Sequence, residues 1–193
     1  MKIYFDFDRT LFDTKTFQEE IYRILIDYNI PIDLFDKIKF KNKEKGFNIF
    51  NILEELQKIH PFNKNLYTAL NKLIESDNIY VFDDVNDILK YLKSIHYQLF
   101  VLTKGDDSFQ RAKIINTDIV NYFDDIIITN NHKGDLKLDY NAIFVDDSLE
   151  EIESILKNKP KQVIYINRYS KDIFKDKHVL FINSLEELKE IIK

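Results

Sequence analysis

The apolar positions along this chain change their spacing more than once. Residues 3–7 (IYFDF) are mostly β-branched or aromatic and predict a buried strand. From Phe17 the spacing turns helical. Phe17, Ile21, Ile24, Leu25 and Tyr28 share one face at 3.6 residues per turn, which predicts a helix over 17–28. Pro31 restarts the chain before a second helical stretch, 32–40. Gly46 breaks that stretch, 47–59 reads as a third helix, and Pro61 separates it from a fourth over 62–76. All four are amphipathic and are expected to pack as a compact bundle. No strand is predicted between residues 14 and 78.

From residue 79 the pattern alternates. Helices are predicted at 85–96, 108–117, 149–158 and 184–193, and strands at 98–103, 126–129, 142–145, 162–167 and 178–183. Such alternation implies a parallel sheet with helices on both faces. The expected organisation is an α/β core, residues 1–13 and 79–193, carrying an inserted α-helical cap, residues 14–78. The junctions at 12–14 and 76–78 are short and suited to a hinge.

Composition narrows the classes. At 193 residues, 45% hydrophobic and 32% charged, the chain has an ordinary globular balance and length enough for one domain with an insertion. A net charge of −5 argues against nucleic acid as the main partner. The absence of cysteine excludes disulfides and thiolate zinc sites. No apolar run reaches the length of about 18 residues that a membrane span needs, so no membrane partner is expected. The first residues run straight into a strand and do not read as a signal peptide. The default expectation is a cytoplasmic monomer or weak dimer.

Candidate chemistry gathers at the ends of the predicted strands, where open parallel sheets bind ligands. The first strand ends in Asp6 and Asp8, the second in Thr103-Lys104-Gly105, and the fourth in Asp146-Asp147-Ser148. The third is followed by Asn130-Asn131-His132-Lys133. Burying carboxylates costs several kcal/mol unless something compensates them. A hard divalent cation would do so, and Mg²⁺ suits oxygen ligands. Acids, a hydroxyl and a lysine on one edge are what phosphoryl transfer needs. A carboxylate can attack phosphorus once cations offset the repulsion between anions.

These residues resemble the motifs of the haloacid dehalogenase (HAD) superfamily along the whole core. IYFDFDRTLFDT is similar to the first motif, a strand followed by D-x-D-x-T, and FVLTKGD to the second. IIITNNHK is similar to the lysine motif and IFVDDS to the acidic fourth. The weight lies in all four occurring in order, each after a predicted strand.

The resemblance implies a Rossmann-like parallel sheet core with a C1-type helical cap, and an Mg²⁺-dependent phosphatase acting on a small phosphorylated metabolite. It makes Asp6 the nucleophile that forms an aspartyl-phosphate. Asp8 becomes the general acid and base, with its backbone carbonyl on Mg²⁺. Thr103 and the Lys104 amide would hold the phosphoryl oxygens. Asp6, Asp146 and Asp147 would complete the metal set, and Lys133 is favoured over Lys137 as the catalytic lysine. Dehalogenase and phosphonatase branches lack an aspartate at the position of Asp8, which favours phosphate-ester hydrolysis. The alternatives are a phosphomutase or phosphotransferase of the same family, or a non-catalytic Mg²⁺-binding scaffold resembling a receiver domain. In receivers the paired acids follow the first strand, whereas here they come last.

Two departures from the family pattern stand out. Arg9 occupies a position where glycine or asparagine is usual, so it is expected to intrude on the pocket. The segment from the lysine to Asp146 is also too short for the usual helix. Other polar residues read as structural. Thr10 is expected to bond the backbone of the first turn, and Asp13 to start a helix. Ser148 with Glu151 reads as a capping box; Asp106, Asp107 and Ser108 read as a helix start, with Asp107 or Ser108 as the cap. The lysine-rich stretch 37–45 reads as a solvated face.

Overall fold

A computed structural model describes residues 1–43, 46–170 and 178–192. Six strands form one parallel sheet: β1 (Lys2–Phe5), β2 (Gln98–Lys104), β3 (Asp125–Thr129), β4 (Ile143–Asp146), β5 (Gln162–Ile166) and β6 (Val179–Ile182). The order across the sheet is β3-β2-β1-β4-β5-β6. The chain thus builds outward from β1 to β3, then returns to β1's other side for β4. That reversal leaves a crevice at the carboxyl end of β1, between the turns that follow β2 and β4.

Both faces of the sheet are buried, which explains why its strands are almost continuously apolar. Ile3 and Phe5 of β1 point to one face and Tyr4 to the other, as the period of two requires. The first face joins Val101, Val145 and Ile164 to the helices α5 (Val85–Ser94), α6 (Asp107–Ile115) and α8 (Leu188–Ile191). The second face is covered by α7 (Leu149–Leu156), with Tyr4 stacked on Phe100 and Phe144 at ring centroid distances of 4.9 Å each.

Between β1 and α5 the chain forms α1 (Thr14–Asp27), α2 (Ile32–Lys41), α3 (Ile49–Gln57) and α4 (Asn65–Glu75). Their buried stripes include Phe17, Ile21 and Leu25 of α1, Phe35 and Ile38 of α2, and Ile52, Leu53 and Leu56 of α3. These are continuous with the first core face. The segments that leave and rejoin the core lie side by side. Phe12 and Val81 form an antiparallel bridge, and the Asp13 amide donates to the Tyr80 carbonyl at 2.6 Å. Among the described residues, no helix is long and apolar enough to cross a membrane.

Several local details differ from the sequence reading. Helix α6 is capped by Asp106, whose Oδ1 accepts from the Phe109 amide at 3.0 Å, and not by Asp107 or Ser108. Ser148 does cap α7, but the Glu151 side chain turns away and no capping box forms there. The box occurs instead at Ser184 and Glu187. Thr10 is fully buried with no partner on its hydroxyl among the described residues, while its carbonyl accepts from the Arg168 guanidinium. Between β3 and β4 there is a single 3-10 turn, Lys133–Asp135, and no α-helix, in keeping with the shortness of that segment. Of the stretch 37–45, residues 44 and 45 lie outside the described residues, as does residue 193 of the last helix.

Candidate active site

Asp6 directly follows β1, and its amide donates to the Val145 carbonyl of β4 at 2.8 Å. This backbone bond holds the end of β1 against the end of β4, which carries Asp146. Lys133 arrives from the far side of β2. Its backbone amide donates to Glu151 Oε2 at 2.8 Å, and the Gly134 amide donates to Ser154 Oγ at 3.1 Å. Gly134 is required here by space, since a Cβ would lie 2.1 Å from the Ser154 carbonyl oxygen. So anchored on α7, Lys133 buries its whole side chain. Its Nζ lies 2.6 Å from both Asp6 Oδ1 and Asp146 Oδ2. Lys137 is exposed.

The carboxylates of Asp6, Asp146 and Asp147 each bring an oxygen within 4.8 Å of the others. Burial pushes the Asp6 carboxyl well above its ordinary range, against the pull of Lys133 and with the repulsion of Asp146 and Asp147 added. Asp147 is pushed up to about 7, first by burial and also by Asp146, despite Arg9 Nε at 2.8 Å from its Oδ2. Burial on its own would lower Lys133, but the two carboxylates beside it hold it above its usual value. An arrangement of hard oxygen donors that are costly to ionise together fits a divalent cation such as Mg²⁺.

Asp8 is bound differently. Its Oδ1 accepts from Lys113 Nζ and from the Thr14 hydroxyl, and its Oδ2 from Gln110 Nε2, each at 2.6 Å. Burial would raise its pKa, but Lys113, Thr14 and Gln110 outweigh burial and lower it. Because that carboxylate is engaged by three donors, any share in a metal site falls to the Asp8 backbone carbonyl.

A cavity of about 1220 Å³ opens over these groups. Asp6, Asp8, Lys133, Asp146 and Asp147 line it, with Thr103 and Lys104 at the end of β2. Thr103 is buried at its floor. The Lys104 ammonium is drawn aside to Glu151 Oε1 at 2.8 Å. Arg9 does reach the pocket. It sits at φ 60, in the left-handed region, and its side chain is half-exposed against Asp147. On the opposite wall the inserted segment contributes Lys15, Gln18, Lys43 and Phe47.

Lys113 and Gln110 are absent from the sequence reading, and Glu151 enters it only as half of a capping box. The signal for the first two was present: Lys113 lies four residues after Phe109 and one before Ile114, on the buried stripe of α6. A lysine there needs a partner inside the protein.

The profile of the haloacid dehalogenase-like hydrolase family matches residues 3–173. A glyceraldehyde 3-phosphate phosphatase from Methanothermobacter thermautotrophicus is 25% identical over 189 residues, covering 89% of this chain and 78% of that protein. Among solved structures, a haloacid dehalogenase-like hydrolase from Burkholderia xenovorans superposes with a TM-score of 0.80 at 16% identity. That match covers 99% of this chain and 95% of the other. A 2-haloacid dehalogenase from Pseudomonas syringae superposes at 0.74 with 17% identity, covering 99% and 97%. At these identities the two structures share the fold with this chain.

Proposed function

The chain belongs to the haloacid dehalogenase-like hydrolases, and from that premise we propose that it is an Mg²⁺-dependent phosphatase. Its substrate would be a small phosphorylated metabolite, hydrolysed through an aspartyl-phosphate on Asp6. The observation that carries the reading is the second carboxylate, Asp8, lining the same cavity as Asp6. Dehalogenation has no use for an acid there, whereas ester hydrolysis needs one at both of its steps.

A carboxylate oxygen of Asp6 attacks phosphorus, and the bond from phosphorus to the leaving oxygen breaks. Asp8 gives that oxygen a proton, which it must first take up, since Lys113, Thr14 and Gln110 favour its ionised form. Asp8 next takes a proton from a water molecule that attacks the phosphorus. The bond to Asp6 then breaks, and inorganic phosphate leaves. The Thr103 hydroxyl and the Lys104 amide hold phosphoryl oxygens, and the Lys133 ammonium offsets the charge gathered at Asp6. The Asp6, Asp146 and Asp147 carboxylates and the Asp8 carbonyl would hold Mg²⁺, which would supply Lewis-acid charge to ease the approach of two anions. The segment 14–78 serves as a cap that covers the cavity and excludes folded phosphoproteins.

Phosphate release from an aryl phosphate and a panel of phosphorylated metabolites tests this reading, with Mg²⁺ or EDTA present. Turnover should require Mg²⁺ and fall by at least about 10²-fold in Asp6→Asn, with phosphate mass on the Asp6 peptide of the wild type. An Asp6→Asn enzyme within tenfold of wild type overturns the covalent route. Transfer of phosphate to an acceptor other than water would instead favour a phosphotransferase.

A further inference from the structure

We propose that Lys113, aided by Gln110, is a positioning residue for Asp8: it fixes the carboxylate so that Oδ2 is the oxygen that exchanges protons during turnover. The inference rests on the phosphatase reading.

Helix α6 places Gln110 and Lys113 three residues apart, on one face of the helix. Lys113 is 3% exposed. Its ammonium meets Asp8 Oδ1 at 2.6 Å and stands 5.4, 5.2 and 5.6 Å from the ring centres of Phe7, Phe12 and Phe109. The rings favour a cation through their faces. They do not replace the water an ammonium loses on burial, so the Asp8 carboxylate has to. For packing among three rings a methionine would serve at lower cost. The charge is what the lysine adds, and it is directed at Asp8.

Counting acceptor sites shows what the contact does. A carboxylate offers about four lone-pair positions, two on each oxygen. On Asp8, Oδ1 is filled by Lys113 and the Thr14 hydroxyl. Among the described residues, Oδ2 has one donor, Gln110 Nε2, and keeps one open position. Rotating the carboxylate would break all three bonds at once. Gln110 Nε2 also reaches the Lys104 carbonyl at 3.2 Å, which ties this clamp to the strand end that borders the phosphoryl group. The two buried lysines divide the acids between them. Lys133 holds Asp6 and Asp146, and Lys113 holds Asp8. Losing Lys113 should therefore disturb proton transfer and leave the nucleophile in place.

Lys113→Met keeps the stem among the rings and removes the charge. With an aryl phosphate, whose leaving group needs little help, the damage should fall on the second step. The expected result is a fall in kcat of about 10- to 100-fold with KM within about threefold, and phosphorylated Asp6 accumulating in quenched samples. Lys113→Arg should recover part of the loss. In an Asp8→Asn background the same substitution should change kcat by less than about twofold, because it acts through Asp8. If Lys113→Met does not fold, Gln110→Leu carries the test, with the same loss confined to kcat. A folded variant with wild-type kcat, or a loss that persists undiminished in Asp8→Asn, overturns the inference while an active wild type leaves the phosphatase reading standing. A wild type that hydrolyses no phosphate ester overturns both.

Discussion

Asn48 and Asp106 each cap a helix and are bonded to each other. Asn48 Oδ1 accepts from the amides of Phe50 and Asn51 at the start of α3, while its Nδ2 donates to Asp106 Oδ1 at 2.9 Å. Asp106 in turn caps α6 through the Phe109 amide. Gly46 lies against the same loop, where a Cβ would come 2.4 Å from the Asp106 amide nitrogen, and its φ is +82. Phe47 packs edge-on against Phe109 at 5.4 Å. The inserted segment is thereby seated on the turn that follows β2, beside Thr103 and Lys104. Asn48→Ala removes a cap and this bond together, and should cost about 1–2 kcal/mol. The urea midpoint should fall and KM should rise more than kcat falls. An unchanged midpoint would contradict the seating.

Lys133 and Lys137 differ in what their removal leaves behind. Lys133→Met strands two buried carboxylates, Asp6 and Asp146, without their cation. Breaking such a buried pair costs about 3–5 kcal/mol, so the metal-free variant should melt well below wild type and turn over no substrate. Lys137→Ala, on an exposed side chain, should stay within about 0.5 kcal/mol. Thermal melts and phosphate release on the two variants decide the assignment. Equal damage would remove Lys133 from its role.

Gly134 offers a way to disturb Lys133 without touching its charge. An alanine Cβ would run into the Ser154 carbonyl, which belongs to the backbone of α7 and cannot swing aside. The turn must shift instead, and it carries the Lys133 amide away from Glu151 Oε2. Gly134→Ala should destabilise by about 1–3 kcal/mol, as overpacking does, and lower kcat more than it raises KM. A variant with wild-type stability would show that the turn has slack.

What could be read from the sequence follows from which signals are local. The strand ends were legible because an apolar run that stops at Asp6, Thr103 or Asp146 is visible in one dimension. The alternation from residue 79 likewise implied the parallel sheet that β1–β6 form. The spacing of Glu151 to Ser148 mimics a capping box, whereas its oxygens are taken by the Lys104 ammonium and the Lys133 amide. The role of Lys113 is not local, because its partner lies 105 positions away and only the folded sheet brings α6 beside Asp8. The bond between Asn48 and Asp106 spans 58 positions and has no sequence signature at all.

Asp147 gives the site a pH dependence whose sign can be worked out. Its folded pKa is raised to about 7, against an ordinary 3.8, chiefly because it is buried and also because Asp146 repels it. Between those values the folded metal-free protein holds a proton that the unfolded chain has released. Stability from this group therefore falls as pH rises from about 4 to about 7, and levels off above that. A cation among Asp6, Asp146 and Asp147 favours the ionised form, so Mg²⁺ should stabilise more where the proton would otherwise have been lost. The increase in Tm on adding saturating Mg²⁺ should be larger at pH 8 than at pH 5.5, by on the order of 5 °C. Asp147→Asn removes the charge that burial opposes. In the absence of metal it should melt above wild type at pH 8, lose its own share of the pH slope between 4 and 7 while that of Asp6 remains, and show a smaller response to Mg²⁺. Calorimetric scans of both proteins at the two pH values, with and without Mg²⁺, measure all three effects. A wild-type protein whose Mg²⁺-induced increase is the same at both pH values would mean that Asp147 neither carries the raised pKa nor faces the ion.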